Sequence, residues 1–372
     1  MAYKPGFLKL LAAVLVLVLL PVLARAAEPI AFEPETLENG LRVIYAPLTN
    51  SPVVHVRVIY HVGSRDERPD RQGFAHMFEH MMFRGSAHVA PEEHMKTIGM
   101  VGGNSNAFTS FDETVYINTL PAAYLETALY LEADRMASFK VSPKIFATER
   151  LVVAQEWALR NNQPYGTVFE ELLKRAFTTH PYRWTPIGNM DHLQAASAGE
   201  LQAFFNKYYV PNNAILVIAG KIDVPATKEM VKKYYGWIPG NSMHLTGKSG
   251  HAVNSVLPVP VKRDIPAEPE QTEPRRAELR FNVPLARVMV SYPMPPQKSE
   301  DQDALGILAT IVGDGRSSRL SRLLVTSDSP LCTSAGSMAM GLEDGGVMGV
   351  NATVLAGKST QEVEKIIAAA VA

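Results

Sequence analysis

Residues 73–86 read Gly-Phe-Ala-His-Met-Phe-Glu-His-Met-Met-Phe-Arg-Gly-Ser, and within them His76, Glu79 and His80 form the pattern H-x-x-E-H. On a helix these three side chains fall at i, i+3 and i+4, so they share one face. Such a pattern can arise by chance on an exposed amphipathic helix, but the neighbours argue against it here. Ala75, Met77, Phe78, Met81, Met82 and Phe83 make the segment apolar nearly all round, which is the mark of a buried helix. Burying two imidazoles and a carboxylate without partners is costly. The rest of the chain must therefore bring something to this helix. Two imidazoles on one face can hold Zn²⁺, and the carboxylate beside them can take a proton from a water on the metal.

A second helix is predicted from about Ser142 to Arg160, with Pro143 in its first turn. Glu149, Val152, Val153 and Glu156 fall at i, i+3, i+4 and i+7, again one face. Two glutamates sharing a face with two valines read as withdrawn from solvent. Glu156 is the expected third zinc ligand, completing the His₂Glu set of a catalytic site whose fourth position is a water. Glu149 is expected to support that site from behind as an acid in contact with the ligands. An ordinary acidic helix surface is the alternative for Glu149.

With these residues in place, the chain resembles the zinc-dependent pitrilysin, insulinase and mitochondrial processing peptidase family, whose inverted H-x-x-E-H order defines the inverzincins. In that family a ligand glutamate follows about seventy-five residues after the motif, and here the 75 residues 81–155 separate His80 from Glu156. Gly102-Gly103-Asn104-Ser105-Asn106-Ala107-Phe108-Thr109 resembles the family's substrate-binding strand. His180-Pro181-Tyr182, Pro186-Ile187-Gly188, Tyr209 to Ala214 and Gly315 to Leu320 resemble other landmarks. The resemblance covers nearly everything after the first thirty residues. It implies a zinc metalloendopeptidase in which Glu79 is the general base, His76, His80 and Glu156 hold Zn²⁺, and Asn106 and Ala107 contact a peptide substrate. Read on residues alone, the Gly-Gly-Asn segment is a plain turn, and turn and strand can both hold.

One departure stands out. The family uses an Arg and a Tyr from its second half to hold substrate and steady the oxyanion. Carried over without gaps, these positions fall on Val325 and Cys332, and neither can do the job of the Arg or the Tyr. In the family's two-subunit branch the zinc-bearing chain lacks this pair and a homologous subunit supplies it. That branch, or a homodimer, is the implied assembly, and Arg316 or Arg319 is the fallback within this chain. A non-catalytic core subunit of a larger complex is the competing reading, although such members usually lose zinc residues and all four are intact here.

Composition bounds the remaining possibilities. The 372 residues carry 20% charged and 47% hydrophobic side chains with net charge −1 and no basic run, so nucleic acid is excluded as a partner. The many methionines read as core filling. Residues 1–26 read as a signal peptide: Lys4 and Lys9, an aliphatic run over 10–20, then Ala24-Arg25-Ala26 as a cleavage site. The run is short for a membrane span. Periplasmic export with no span after cleavage is expected, and an uncleaved inner-membrane anchor is the alternative. Cys332 is the one cysteine and can form no intrachain disulfide.

The predicted organisation is α+β, with two related domains, each a mixed or antiparallel sheet flanked by helices. Residues 28–255 form the zinc-bearing domain, 256–275 a Pro-rich exposed linker, and 276–372 a second domain that looks incomplete beside the family. Alternation predicts a strand over 54–62. Further strands are expected at 114–119, 214–220, 287–292 and 347–355, with the strand over 104–109 at a sheet edge. Helices are expected from Pro121, over 225–235, 303–312 and 360–371.

Overall fold

The computed structural model describes residues 29–240 and 259–372. The predicted signal peptide and residues 256–258 of the predicted linker lie outside the described residues. The first sheet is built from β1 (Glu33–Thr36), β2 (Arg42–Pro47), β3 (Val53–Tyr60), β4 (Asn104–Thr109), β5 (Thr114–Pro121) and β6 (Ala214–Gly220) in the order β1-β2-β6-β3-β5-β4. Only β2 and β6 pair in parallel, so the sheet is mixed.

The alternation over 54–62 does what period 2 demands. Val54, Val56, Val58 and Tyr60 are buried, while His55, Arg57 and Ile59 on the other face stay half-open. Register places Val58 opposite Tyr116 and Leu216, so one face of the whole sheet is apolar. Helices α1 (Phe74–Met81), α2 (Glu93–Met100), α3 (Leu125–Ser138) and α4 (Pro143–Asn161) cover it, α5 (Val168–Ala176) packs instead beside Phe111 and Tyr182, and α6 (Met190–Ala195), α7 (Ala198–Tyr208) and α8 (Val224–Tyr235) complete the cover. Among the described residues the opposite face carries no helix-packed core. β4 lies at the sheet's edge as expected, paired on one side only with β5.

The second unit repeats the plan on a smaller scale. β7 (Arg287–Met294), β8 (Cys332–Leu342) and β9 (Gly345–Val354) form an antiparallel sheet in the order β7-β9-β8. Central β9 is buried along nearly its whole length. Helices α9 (Gln302–Gly313) and α10 (Thr360–Val371) pack on it through Ala309, Val312, Val363 and Ile367. The chain is α+β in two related units, as its sequence indicates.

Three expectations need correction. Pro121 does not open a helix: it closes β5, and a short 3-10 turn over Ala122–Tyr124 intervenes before α3. Strands β1, β2 and β8 carried weaker alternation and went unread. The segment after 258 is irregular, as its prolines require, and exposed over 269–275, but its first part is tied to the first unit. Val261 is buried in the first core, Arg263 Nε lies 2.7 Å from Asp66 Oδ1, and Glu268 accepts from the backbone N–H groups of Thr178, Thr179 and His180. Charged side chains between the prolines anchor the strap to the first unit.

The two units meet at the tip of the β8–β9 hairpin. Arg65, 2% exposed, lies 2.7 Å from Glu343 and 2.9 Å from Asp344. Tyr182 donates to Asp112, and Asp112 accepts from Glu343 N. Leu342 and Val347 pack beside Phe111, Phe177 and Tyr182. The His180-Pro181-Tyr182 segment thus belongs to this joint.

A candidate metal centre

Helix α1 is held from behind and from its start. Phe78 sits among Phe139, Phe204, Phe205 and Tyr209, and Tyr116 Oη donates to Phe78 O at 2.9 Å. The helix begins at Gly73, whose φ of +94° favours glycine. Gly188 packs directly on it, since a Cβ there would sit 2.3 Å from Gly73 N. Glu67 is buried and accepts from Gly73 N and Ala75 N, both at 2.9 Å, so one carboxylate caps two of the helix's orphan donors. Burial nevertheless pushes its carboxyl up to about 8, outweighing those two bonds.

The front of α1 carries the polar triplet. The rings of His76 and His80 stand edge to face with centroids 4.8 Å apart. Helix α4, N-capped by Ser142 and carrying Pro143 in its first turn, lays Phe146, Glu149 and Val153 against the core. This brings Glu156 to the histidines. His76 Nε2 is 3.6 Å from Glu156 Oε1, and His80 Nε2 is 3.3 Å from Glu156 Oε2. One ligand atom from each of the three can be chosen so that all lie within 4.8 Å of one another. Tetrahedral ligands at Zn–N and Zn–O distances near 2.1 Å sit about 3.4 Å apart, so this donor set fits a zinc ion. Burial is the main cause holding His76 down to about 3, with His80 and Arg160 adding to it, which keeps the ring in the neutral form that binds metal.

Two details of α4 differ from the expected single face. Val152 is exposed rather than buried, and the Glu156 side chain is 48% exposed. Glu149 and Val153 point inward, and Glu156 sits at the solvent-facing rim of the histidine pair. Glu149 is 2% exposed, with Oε2 lying 3.7 Å from His80 Nδ1.

Glu79 stands apart from the three. Its Oε2 accepts from Thr109 Oγ1 at 2.7 Å, and burial raises its pKa against the pull of that bond. Thr109, the last residue of β4, was quoted in the strand motif but not read as this partner. The signal is strand parity: Ser105, Ala107 and Thr109 face the helices, while Asn104, Asn106 and Phe108 are exposed. Of the two expected substrate contacts, Asn106 is therefore exposed on the open face and Ala107 packs against the core. What they share is the free edge of β4. Val325 and Cys332 both join the second core, Cys332 being 2% exposed. Arg319 donates to Ala370 O at the end of α10, and Arg316 is exposed.

Comparison with known proteins places the arrangement. Residues 42–187 match the model of the insulinase (peptidase family M16) domain, and residues 195–372 match that of the peptidase M16 inactive domain. The zinc protease PqqE of Helicobacter pylori is 36% identical over 315 residues, covering 84% of this chain and 67% of that protein. An uncharacterized zinc protease of Mycobacterium leprae is 30% identical over 288 residues, covering 77% of this chain and 61% of its own length. The chain thus spans about two thirds of these curated relatives or less. A crystal structure of a protease from Helicobacter pylori superposes with a TM-score of 0.82 at 33% identity, over 91% of this chain and 78% of that one. The periplasmic protease PqqL of Escherichia coli shares the fold, with a TM-score of 0.64 at 20% identity, over 92% of this chain and 40% of that one. Among the described residues no helix is long and apolar enough to cross a membrane.

Proposed function

This chain belongs to the insulinase (peptidase M16) family, and on that premise we propose that it is the zinc-bearing part of a metalloendopeptidase that cuts peptides or unfolded segments. The observation that carries this reading is the convergence of His76, His80 and Glu156 from two helices, with Glu79 on the same helical face but outside the ligand set. A zinc ion in that site would supply an acidified water and a Lewis acid for the scissile carbonyl. Glu79 takes the proton of the attacking water at one carboxylate oxygen while Thr109 occupies the other, and returns it to the leaving amine. Its raised pKa suits both halves of that task. The free edge of β4 offers backbone groups to an extended peptide, which would run past Asn106 and Ala107 as an added strand.

Two assembly proposals follow. A homologous subunit supplies the Arg and Tyr that Val325 and Cys332 cannot replace. The fold-level match supports it, because this chain aligns to 40% of PqqL and a further solved structure is described as the first half of that protease. Export to the periplasm rests on residues 1–26 and agrees with the periplasmic source of those neighbours. The alternative, a non-catalytic core subunit, draws on the inactive-domain match over 195–372. The deciding experiment measures zinc content and peptide hydrolysis on one preparation. About one zinc per chain with zinc-dependent cleavage is expected. Zinc without cleavage, with every candidate partner added, selects the scaffold. Absence of bound zinc overturns the site.

A further inference from the structure

Behind the ligand face, Glu149 is buried with its Oε2 lacking any hydrogen-bond partner among the described residues and directed at His80 Nδ1. Its other oxygen, Oε1, is ion-paired with Arg84, just beyond the end of α1, at 2.9 Å from Nε, a contact of charge alone because that N–H makes no hydrogen bond among the described residues. The other arm of that guanidinium, Nη1, is 2.7 Å from Glu92 Oε1. Glu92 precedes α2 with φ of +66°, one of two non-glycine residues with positive φ among the described residues. Strain of this kind persists only where the surroundings over-determine it. His80, Arg84, Glu92 and Glu149 all line one cavity of about 510 Å³, floored by Phe83 and Met95.

We propose that Arg84 is a positioning residue for the metal centre, holding Glu149 against His80 Nδ1 so that His80 Nε2 faces the metal. This rests on the reading of His76, His80 and Glu156 as ligands. A glutamate side chain has three rotatable bonds, and packing alone does not aim its carboxylate. Drawing Oε1 to the guanidinium charge turns Oε2 towards the imidazole. A ligand histidine characteristically gives its second N–H to a carboxylate, which fixes tautomer and ring orientation. Arg84 also supplies the counter-charge that a buried carboxylate needs. Its second arm, fastened to Glu92, keeps the guanidinium from swinging into the cavity. A lysine carries the charge but lacks the fork, so it can serve Glu149 while losing Glu92.

The test is zinc affinity, measured by chelator competition, with melting of the metal-free protein as the control for folding. Arg84→Met should weaken zinc binding about 10–100-fold, the usual effect of removing an outer partner of a ligand. Arg84→Lys should recover most of that loss. On a Glu149→Gln background, Arg84→Met should cost nothing more, because the residue acts through Glu149. Unchanged zinc affinity in Arg84→Met overturns the proposal, and so does an equal further loss on the Glu149→Gln background. If Arg84→Met does not fold, Arg84→Gln takes its place in the same cycle: a loss that vanishes on the Glu149→Gln background supports the clamp, and no loss or an additive one overturns it. Wild-type protein that binds no zinc would instead sink the ligand assignment beneath it.

Discussion

Glu79 and Glu156 are both carboxylates within reach of the histidines, and their surroundings assign them different work. Glu156 sits at the rim with its two oxygens spanning His76 and His80. Glu79 lies outside that set, partly buried, and is held by Thr109. Glu79→Gln should therefore keep zinc and lose about 10²–10⁴-fold in kcat, as expected for a lost general base. Glu156→Gln should weaken the metal itself, and a dialysed sample analysed for zinc beside an activity assay separates the two. The Thr109 hydroxyl stabilises the ionised form of Glu79, and burial opposes it. The base must be ionised to act, so removing that donor raises its pKa further. Thr109→Val should shift the acid limb of the kcat/KM profile to higher pH, and an unmoved limb would show that Thr109 does not tune the base. Five consecutive letters carried the histidines and Glu79, and spacing on a second helix carried Glu156. Thr109 was hidden because its link to Glu79 depends on which face of β4 meets α1, and that is set by pairing with β5 rather than by local sequence.

Helix α1 places two of the three proposed ligands, so what fixes its start fixes the site. Glu67 accepts two N–H groups there and is wholly buried, with a carboxyl raised to about 8. A carboxyl whose folded pKa lies above its unfolded value of 4.5 binds its proton more tightly in the native state. The stability this contributes is complete below the unfolded pKa and is lost as pH rises through the folded one. The melting temperature of wild type relative to Glu67→Gln should therefore fall between about pH 5 and pH 8 and then level off. A constant difference across that range would mean Glu67 is ionised in the fold throughout. Elements with strong signals were legible: β3 by alternation, β4 at an edge, α4 from the proline of its first turn, α8 and α10 nearly to the residue. Those that failed did so for tertiary reasons. Val152 shares a helical arc with Val153, but the angle at which α4 meets α1 leaves it in solvent. Pro121 suits a helix start equally well as the last residue of β5, where its missing N–H costs the ladder nothing. The strap over 259–275 looked exposed by composition, and only the fold reveals that Asp66 awaits Arg263.

At the scale of the whole molecule, the second unit is joined to the first through Arg65, Asp112 and Tyr182, and through Tyr165, just past α4, which donates to Leu285 O. By the family resemblance, the positions in that unit that would hold the oxyanion's donors fall on Val325 and Cys332. Val325 and Cys332 belong to its core, and turning either outward would open a cavity. Arg319 is spent on the last turn of α10, which leaves Arg316 as the remaining candidate of the pair within this chain. Losing an oxyanion donor costs about 3 kcal/mol or more in the transition state, roughly a hundredfold or greater in kcat. The isolated chain should accordingly bind zinc well and turn over poorly. A homologous subunit without H-x-x-E-H but carrying the Arg and Tyr should raise kcat by at least that hundredfold factor on co-purification. A second copy of this chain brings the same valine and cysteine, so homodimerisation should enclose substrate without restoring the donors, and activity should not rise with concentration across the dimerisation range. Single-turnover assays on the chain alone, as a concentrated homodimer, and with the homologous subunit distinguish these cases. Full activity from a monomer would remove the need for a partner and point to Arg316, whose substitution by alanine should then abolish it.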